Sequence, residues 1–186
     1  MKPALKIVTH TTTRAARGKG LTLVWGLHDF PLGKLLVALS AEGLCWIGLN
    51  CGEKDLAKNW AGANLIEDRK LTEKTARDIA KAWQKGWPQH AGGMSVPLVL
   101  YGTAFQIKVW KELLKIKSGQ TVTYADIARK IGKPAAVRAV GSAVGKNTLS
   151  LIVPCHRVVN TLGSKISYGW GPAMKKALLK AEGVAA

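Results

Sequence analysis

The residues best equipped to do chemistry are consecutive. The run Ser150-Leu-Ile-Val-Pro-Cys-His-Arg-Val-Val159 delivers a thiol, an imidazole and a guanidinium in a row. Its apolar part reads as a buried strand ending at Pro154. A thiol attacks only as thiolate, and at an ordinary pKa of about 8.5 only a few per cent is ionised at neutral pH. His156 and Arg157 are the groups that would raise that fraction. On a strand adjacent side chains point to opposite faces, whereas in a single helical turn the His156 imidazole reaches the Cys155 thiol through a water. Buried, inert cysteines are common, which is the reading for Cys45 and Cys51.

An imidazole acting as a base needs a partner to orient it. Residues 98 to 186 contain only three acids, Glu112, Asp126 and Glu182. Glu182 ends a helix expected over Pro172 to Ala181, opened by proline and closed by Gly183. The helix dipole opposes a carboxylate there, so a compensating attraction is expected, and His156 is the candidate.

The elements around this run read as helices. Thr103 caps a helix with Phe105, Val109, Trp110 and Leu113 on one apolar face, and Thr123 caps Tyr124 to Ile131. Gly132-Lys133-Pro134 breaks the chain before a second helix over Ala135 to Lys146, the outline of a helix-turn-helix. The second helix offers Arg138 and Lys146 among Ala, Gly and Ser, with no set of side chains spaced to read several base edges. Small residues let a backbone lie close to a duplex, and Arg138 could enter the base stack or meet a phosphate. Ala139, Gly141 and Ala143 would equally permit close helix packing.

Charge supports an anionic partner. The 186 residues carry 28 Lys and Arg against 11 Asp and Glu, a formal net charge of +17. Residues 98 to 186 hold 14 of the basic residues against three acids, so that half should face the anion. No stretch approaches the roughly 20 apolar residues of a membrane span, which favours nucleic acid over a membrane. The basic N-terminus through Arg17 lacks a signal-peptide core, and three cysteines make no disulfide framework; a reducing cytoplasm, at the nucleoid in a prokaryote, is expected.

The first half reads as α/β. Leu21 to Leu27, Lys34 to Leu39 and Leu44 to Leu49 are short strands of a small antiparallel meander, followed by helices over Glu53 to Trp60 and Leu71 to Lys85. The second helix places Ala76, Ile79, Ala80 and Trp83 on one face. Gly86 to Gly93 is the candidate linker, and Val96 to Leu100 a last strand. The expected architecture is an α/β domain over residues 1 to 97, then a mostly α-helical, winged-helix-like domain over 98 to 186. Cys45 and Cys51 with His28 or His90 lack metal-site spacing, so no metal or cofactor is expected.

Residues 102 to 183 resemble the O6-alkylguanine-DNA alkyltransferases. The resemblance rests on Gly102-Thr-Ala-Phe-Gln106, Val109-Trp110, Thr121-Val-Thr-Tyr124, Ile127-Ala128, Arg138-Ala-Val-Gly141, Asn147, Pro154-Cys-His-Arg157, Tyr168 and Glu182-Gly183. Residues 1 to 97 match that family only in arrangement. The resemblance implies irreversible transfer of an alkyl group from O6-alkylguanine, with O4-alkylthymine a further substrate, onto Cys155. It implies a relay of Glu182, His156 and a water, with Asn147 fixing the turn before the active-site strand and Tyr124 donating to the leaving guanine. It also implies that the base is flipped from the minor groove and that Arg138 fills the gap, with Thr123, Ala135 and Ala136 at the DNA. Val144, Pro154, Val158, Tyr168, Gly169 and Trp170 would form the base and alkyl pocket, the Val158 carbonyl and the Gly169 amide holding the base edge. A monomer acting on double-stranded DNA with little sequence preference is expected.

The sequence departs from the family at Asn147-Thr148, where Asn-Pro is usual, and at Ser167 and Gly169, while Trp170 resembles the bacterial Tyr-x-Trp-Gly form and should narrow the pocket against bulky alkyl groups. Three other readings compete. A non-catalytic lesion sensor would lack the reactive cysteine. A transcriptional regulator would need a better base-reading helix. A cysteine hydrolase would turn over, as a thioether cannot.

Overall fold

The computed structural model describes residues 5–13, 18–85, 94–160 and 168–184. The sheet is built first from local pairings. Strands β2 (Thr22–Phe30), β3 (Gly33–Ser40) and β4 (Gly43–Leu49) form the expected antiparallel meander. Gly33 and Gly43, at φ of 118° and 139°, turn the chain where a side chain would be strained.

The sheet is nevertheless larger than the antiparallel one expected, and it is mixed. β1 (Ile7–Thr11) pairs in parallel with β6 (Leu98–Gly102), and β5 (Asn64–Glu67) pairs in parallel with β2. The order is β1-β6-β4-β3-β2-β5. A boundary after residue 97 would assign β6 to the second half, yet its backbone hydrogen bonds lie within the sheet, which therefore runs to Gly102. The proposed linker at Gly86 to Gly93 lies outside the described residues.

Each face of the sheet is covered. α1 (Glu53–Asn59) and Trp60 bury Leu56 and the Trp60 ring against Trp25, Trp46 and Tyr101 on one side. α2 (Arg69–Gln84) lays Ala76 and Ile79 on the other, capped by Asp68, whose side chain accepts from the Leu71 amide. That second core continues without a break into the C-terminal half through Ile107, Trp110, Val140 and Leu178.

The C-terminal helices follow the capping signals closely. Thr103 opens α3 (Ala104–Leu113) and Thr123 opens α4 (Tyr124–Lys130), each with a reciprocal capping box. Gly132, at φ 71°, makes the break. Pro134–Ala136 form a 3-10 turn, so α5 (Val137–Gly145) begins two residues later than expected. The Trp110 indole donates to the Ala143 carbonyl at 2.8 Å, tying α3 to α5. β7 (Val122–Thr123) and β8 (Val158–Val159) pair in parallel, so they are not the antiparallel hairpin a wing would supply. The last helix is α6 (Pro172–Ala181).

The expected strand before Pro154 is not formed. Leu151 sits at φ 72°, and the Ile152 amide donates to the Ser150 carbonyl at 2.9 Å across it, a tight reversal that no strand can contain. The segment is held by tertiary bonds instead. The Ile47 amide of β4 donates to the Thr148 carbonyl at 2.8 Å, and Ile47 and Leu149 form an isolated parallel bridge.

Candidate active site

Cys155, His156 and Arg157 form one 3-10 turn, and all three are buried. Asn147, just past α5, fixes the approach to this turn. Its amide nitrogen donates to the Val153 carbonyl at 2.8 Å and to Cys155 Sγ at 3.2 Å, while its oxygen accepts from the Leu149 amide at 3.0 Å. The Tyr168 hydroxyl lies 3.8 Å from Sγ.

His156 and Glu182 come together as the helix-dipole argument requires. His156 Nε2 lies 2.9 Å from Glu182 Oε1, with both side chains buried. Burial alone would raise the Glu182 pKa, but hydrogen bonds from His156 and Arg157 and their charge hold it at about 2. An ionised carboxylate only accepts, so Nε2 carries the imidazole proton and Nδ1 carries the lone pair. Nδ1 is buried and has no hydrogen-bond partner among the described residues. Burial also holds the His156 pKa below its ordinary value, with Glu182 opposing. The resting imidazole is neutral.

Arg157 does something different from the role expected of it. Instead of facing the thiol, it grips Glu182 with two bonds, Nε to Oε2 at 2.9 Å and Nη2 to Oε1 at 2.8 Å. Its Nη1 donates to the Ile116 carbonyl at 2.6 Å. The thiol is accordingly not a standing thiolate. Burial pushes its pKa above the ordinary value, with the Asn147 and Tyr168 hydrogen bonds and the Lys175 charge opposing.

A cavity of about 440 Å³ opens onto Cys155. Tyr124, Val144, Asn147, Tyr168, Gly169 and Trp170 line it, as expected of pocket and catalytic residues. Pro154 and Val158 are buried behind the thiol rather than in the lining. Burial raises the Tyr124 pKa, with a contribution from Cys155, so its phenol keeps its proton. Thr123 caps α4, while Ala135 and Arg138 lie exposed and Ala136 half-buried at the start of α5, away from the cavity. Ser167 lies outside the described residues.

Two contributors were not anticipated. Lys175 is buried and donates to the Val158 carbonyl at 2.6 Å, occupying one lone pair of the oxygen expected to hold the base edge. Burial lowers its pKa, opposed by Cys155. A signal existed, because Lys175 shares the buried face of α6 with Leu178 and Leu179. Ser150 accepts from Trp170 Nε1 at 2.6 Å, a hydroxyl easily overlooked inside an apolar run.

Comparison with known proteins places the chain in a family. The family described as "6-O-methylguanine DNA methyltransferase, DNA binding domain" matches residues 104–184. The inducible methylated-DNA–protein-cysteine methyltransferase of Bacillus subtilis is 39% identical over 166 residues, covering 87% of this chain and 90% of that protein. The bifunctional transcriptional activator/DNA repair enzyme Ada of Escherichia coli is 39% identical over 170 residues, of which this chain spans 47% of the length. The Mycobacterium tuberculosis OGT crystallised in complex with DNA superposes with a TM-score of 0.71 at 35% identity, covering 86% of this chain and 92% of that one. The chain therefore belongs to the methylated-DNA–protein-cysteine methyltransferases, DNA-repair proteins that move an alkyl group from DNA onto a cysteine of their own.

Proposed function

We propose that this chain repairs O6-alkylguanine in double-stranded DNA by one irreversible transfer of the alkyl group to Cys155, with O4-alkylthymine a second substrate. The observation that carries this reading is the buried Cys155 at the cavity, backed by a His156 whose Nε2 is committed to Glu182 and whose Nδ1 is unpartnered among the described residues. Through a water, Nδ1 takes the thiol proton as sulfur attacks the alkyl carbon. The carbon–oxygen bond breaks, its electron pair passes to the purine, and Tyr124 supplies a proton or hydrogen bond to the leaving base. A resting neutral thiol spares the protein from other electrophiles. Asn147 holds the turn, Arg157 and Lys175 hold Glu182 and Val158, and Tyr168 walls the alkyl group.

The rest of the reading concerns DNA. α4, the Gly132 turn and α5 act as a helix-turn-helix, with α5 entering the minor groove and Arg138 filling the stack left by the flipped base. Thr123, Ala135 and Ala136 approach the backbone there. The Gly169 amide meets the base edge. Residues 98 to 186 carry DNA binding and transfer, apart from β6, which completes the sheet of the supporting domain formed by residues 1 to 97, and the protein acts as a monomer in the cytoplasm.

Stoichiometry tests this proposal. With excess O6-methylguanine oligonucleotide, lesion loss should plateau at one equivalent of protein, and peptide mass spectrometry should find the methyl group on Cys155. Cys155→Ala should bind the lesion without transferring. Continued turnover, or a methyl group elsewhere, would overturn it.

A further inference from the structure

The cavity at Cys155 is not built by the C-terminal half alone. Trp46 of β4 lines it together with Trp170. Trp170 is held from three directions. Its Nε1 donates to Ser150 Oγ at 2.6 Å, and its ring meets that of Trp46 edge-on, with centroids 6.2 Å apart at 86°. Its Cη2 would stand only 3.2 Å from a Cβ placed on Gly48. The same Cβ would lie 2.2 Å from Cys51 Sγ and 3.0 Å from Trp46 Nε1.

Gly48 is the penultimate residue of β4, without the positive φ that would demand glycine. Its requirement is space: three side chains converge on its bare Cα. Gly48 itself does not line the cavity, whereas Trp46 and Trp170, both of which approach its Cα, do. The same strand anchors the chain leading to Ser150, through the Ile47 to Thr148 hydrogen bond of 2.8 Å. One sheet strand therefore fixes both the seat of Trp170 and the start of the segment that carries its hydrogen-bond acceptor.

We propose that β4 is a specificity element, in which Gly48 and Trp46 seat Trp170 as the outer wall of the alkyl pocket and so set how large an O6 substituent Cys155 accepts. This rests on the alkyl-transfer reading above. Aromatic walls discriminate by volume, because a well-packed ring yields to a larger ligand only by leaving a low-energy rotamer or a packed partner. Gly48 and Trp46 act through Trp170 and are positioning residues.

The test compares second-order rates of Cys155 alkylation from O6-methylguanine and O6-benzylguanine oligonucleotides, read by mass spectrometry on the full chain. Gly48→Ala combined with Cys51→Ala, which clears the nearer clash, should drive Trp170 toward the thiol and lower the benzyl-to-methyl rate ratio at least tenfold. Ser150→Ala, which adds no volume, should release the indole and raise that ratio. Thermal melts identify folded variants. If the Gly48 variant does not fold, Ser150→Ala and Trp46→Phe, both expected to raise the ratio, decide the matter. An unchanged ratio, or equal losses on both substrates, would overturn the proposal. Failure of the wild type to accept even methyl would instead sink the underlying reading.

Discussion

Burial works against both halves of the proton transfer, since it raises the Cys155 pKa and lowers that of His156. What restores the bias is the ionised Glu182, held by Arg157 on one side and by the imidazole on the other. Glu182→Gln keeps a hydrogen-bonding group but removes the charge that stabilises imidazolium, so single-turnover transfer should slow about 100-fold. Transfer at the wild-type rate across neutral pH would reduce Glu182 to a structural role. The same pair sets the acid limit of stability. The folded-state pKa of Glu182 is depressed from 4.5 to about 2, so its stabilisation is complete above about 4.5 and is lost as pH falls toward about 2. His156 acts in a higher window: its pKa is lowered by burial, so the unfolded chain binds its proton first and stability falls as pH drops below 6.5. In thermal melts, the gap between wild type and Glu182→Gln should narrow from pH 4.5 downward; a gap constant to pH 2.5 would contradict an ionised Glu182. The sequence exposed this cluster because proline, cysteine and histidine were adjacent and acids were scarce. It hid Arg157's grip on Glu182, because a bidentate contact across 25 positions leaves no local pattern.

The helices were legible wherever a cap or a proline marks an end, and the sheet was legible only where pairing is local. Thr103 and Thr123 announce α3 and α4 through their side-chain oxygens, and Gly33 and Gly43 announce the meander. β1 escaped notice because it finds its partner β6 across the whole sheet half, with Ile7 opposite Leu98. The apolar run before Cys155 imitates a strand, and only the backbone reversal at Leu151, a residue type seldom found at positive φ, reveals otherwise. At α5 the late helix start matters functionally. The 3-10 turn over Pro134–Ala136 leaves Val137 and Arg138 exposed on the first turn of the helix, where a side chain can project without unwinding it. Arg138→Ala should therefore slow repair of duplex substrate at least tenfold while barely changing reaction with free O6-benzylguanine base, which needs no flipping. Equal losses in a side-by-side single-turnover assay would reject insertion into the stack.

At the scale of the molecule, charge is distributed so that the C-terminal half keeps almost none of its anions free. Its three acids are each bound internally: Glu112 by Lys115, Asp126 by Arg129 and Glu182 by Arg157. Of the 14 basic residues in positions 98 to 186, Arg157 and Lys175 are buried and Lys115 and Arg129 are paired with acids, which leaves an excess of cations without a salt bridge among the described residues. Exposed Lys133, Arg138 and Lys146 all lie on or beside the exposed face of α5. Few side chains there can read base edges, so affinity should come from phosphate neutralisation and counterion release. If about six phosphates are contacted, binding should weaken roughly 1,000-fold between about 50 and 200 mM salt, alike for damaged and undamaged duplexes. Lesion recognition then adds a modest preference, because flipping costs only a little less at a weakened pair. Fluorescence anisotropy over that salt range, on two unrelated sequences with and without the lesion, measures both terms. A flat salt response, or strong preference for one undamaged sequence, would point to base readout by α5 and favour a regulator of transcription over a repair protein that searches DNA by charge.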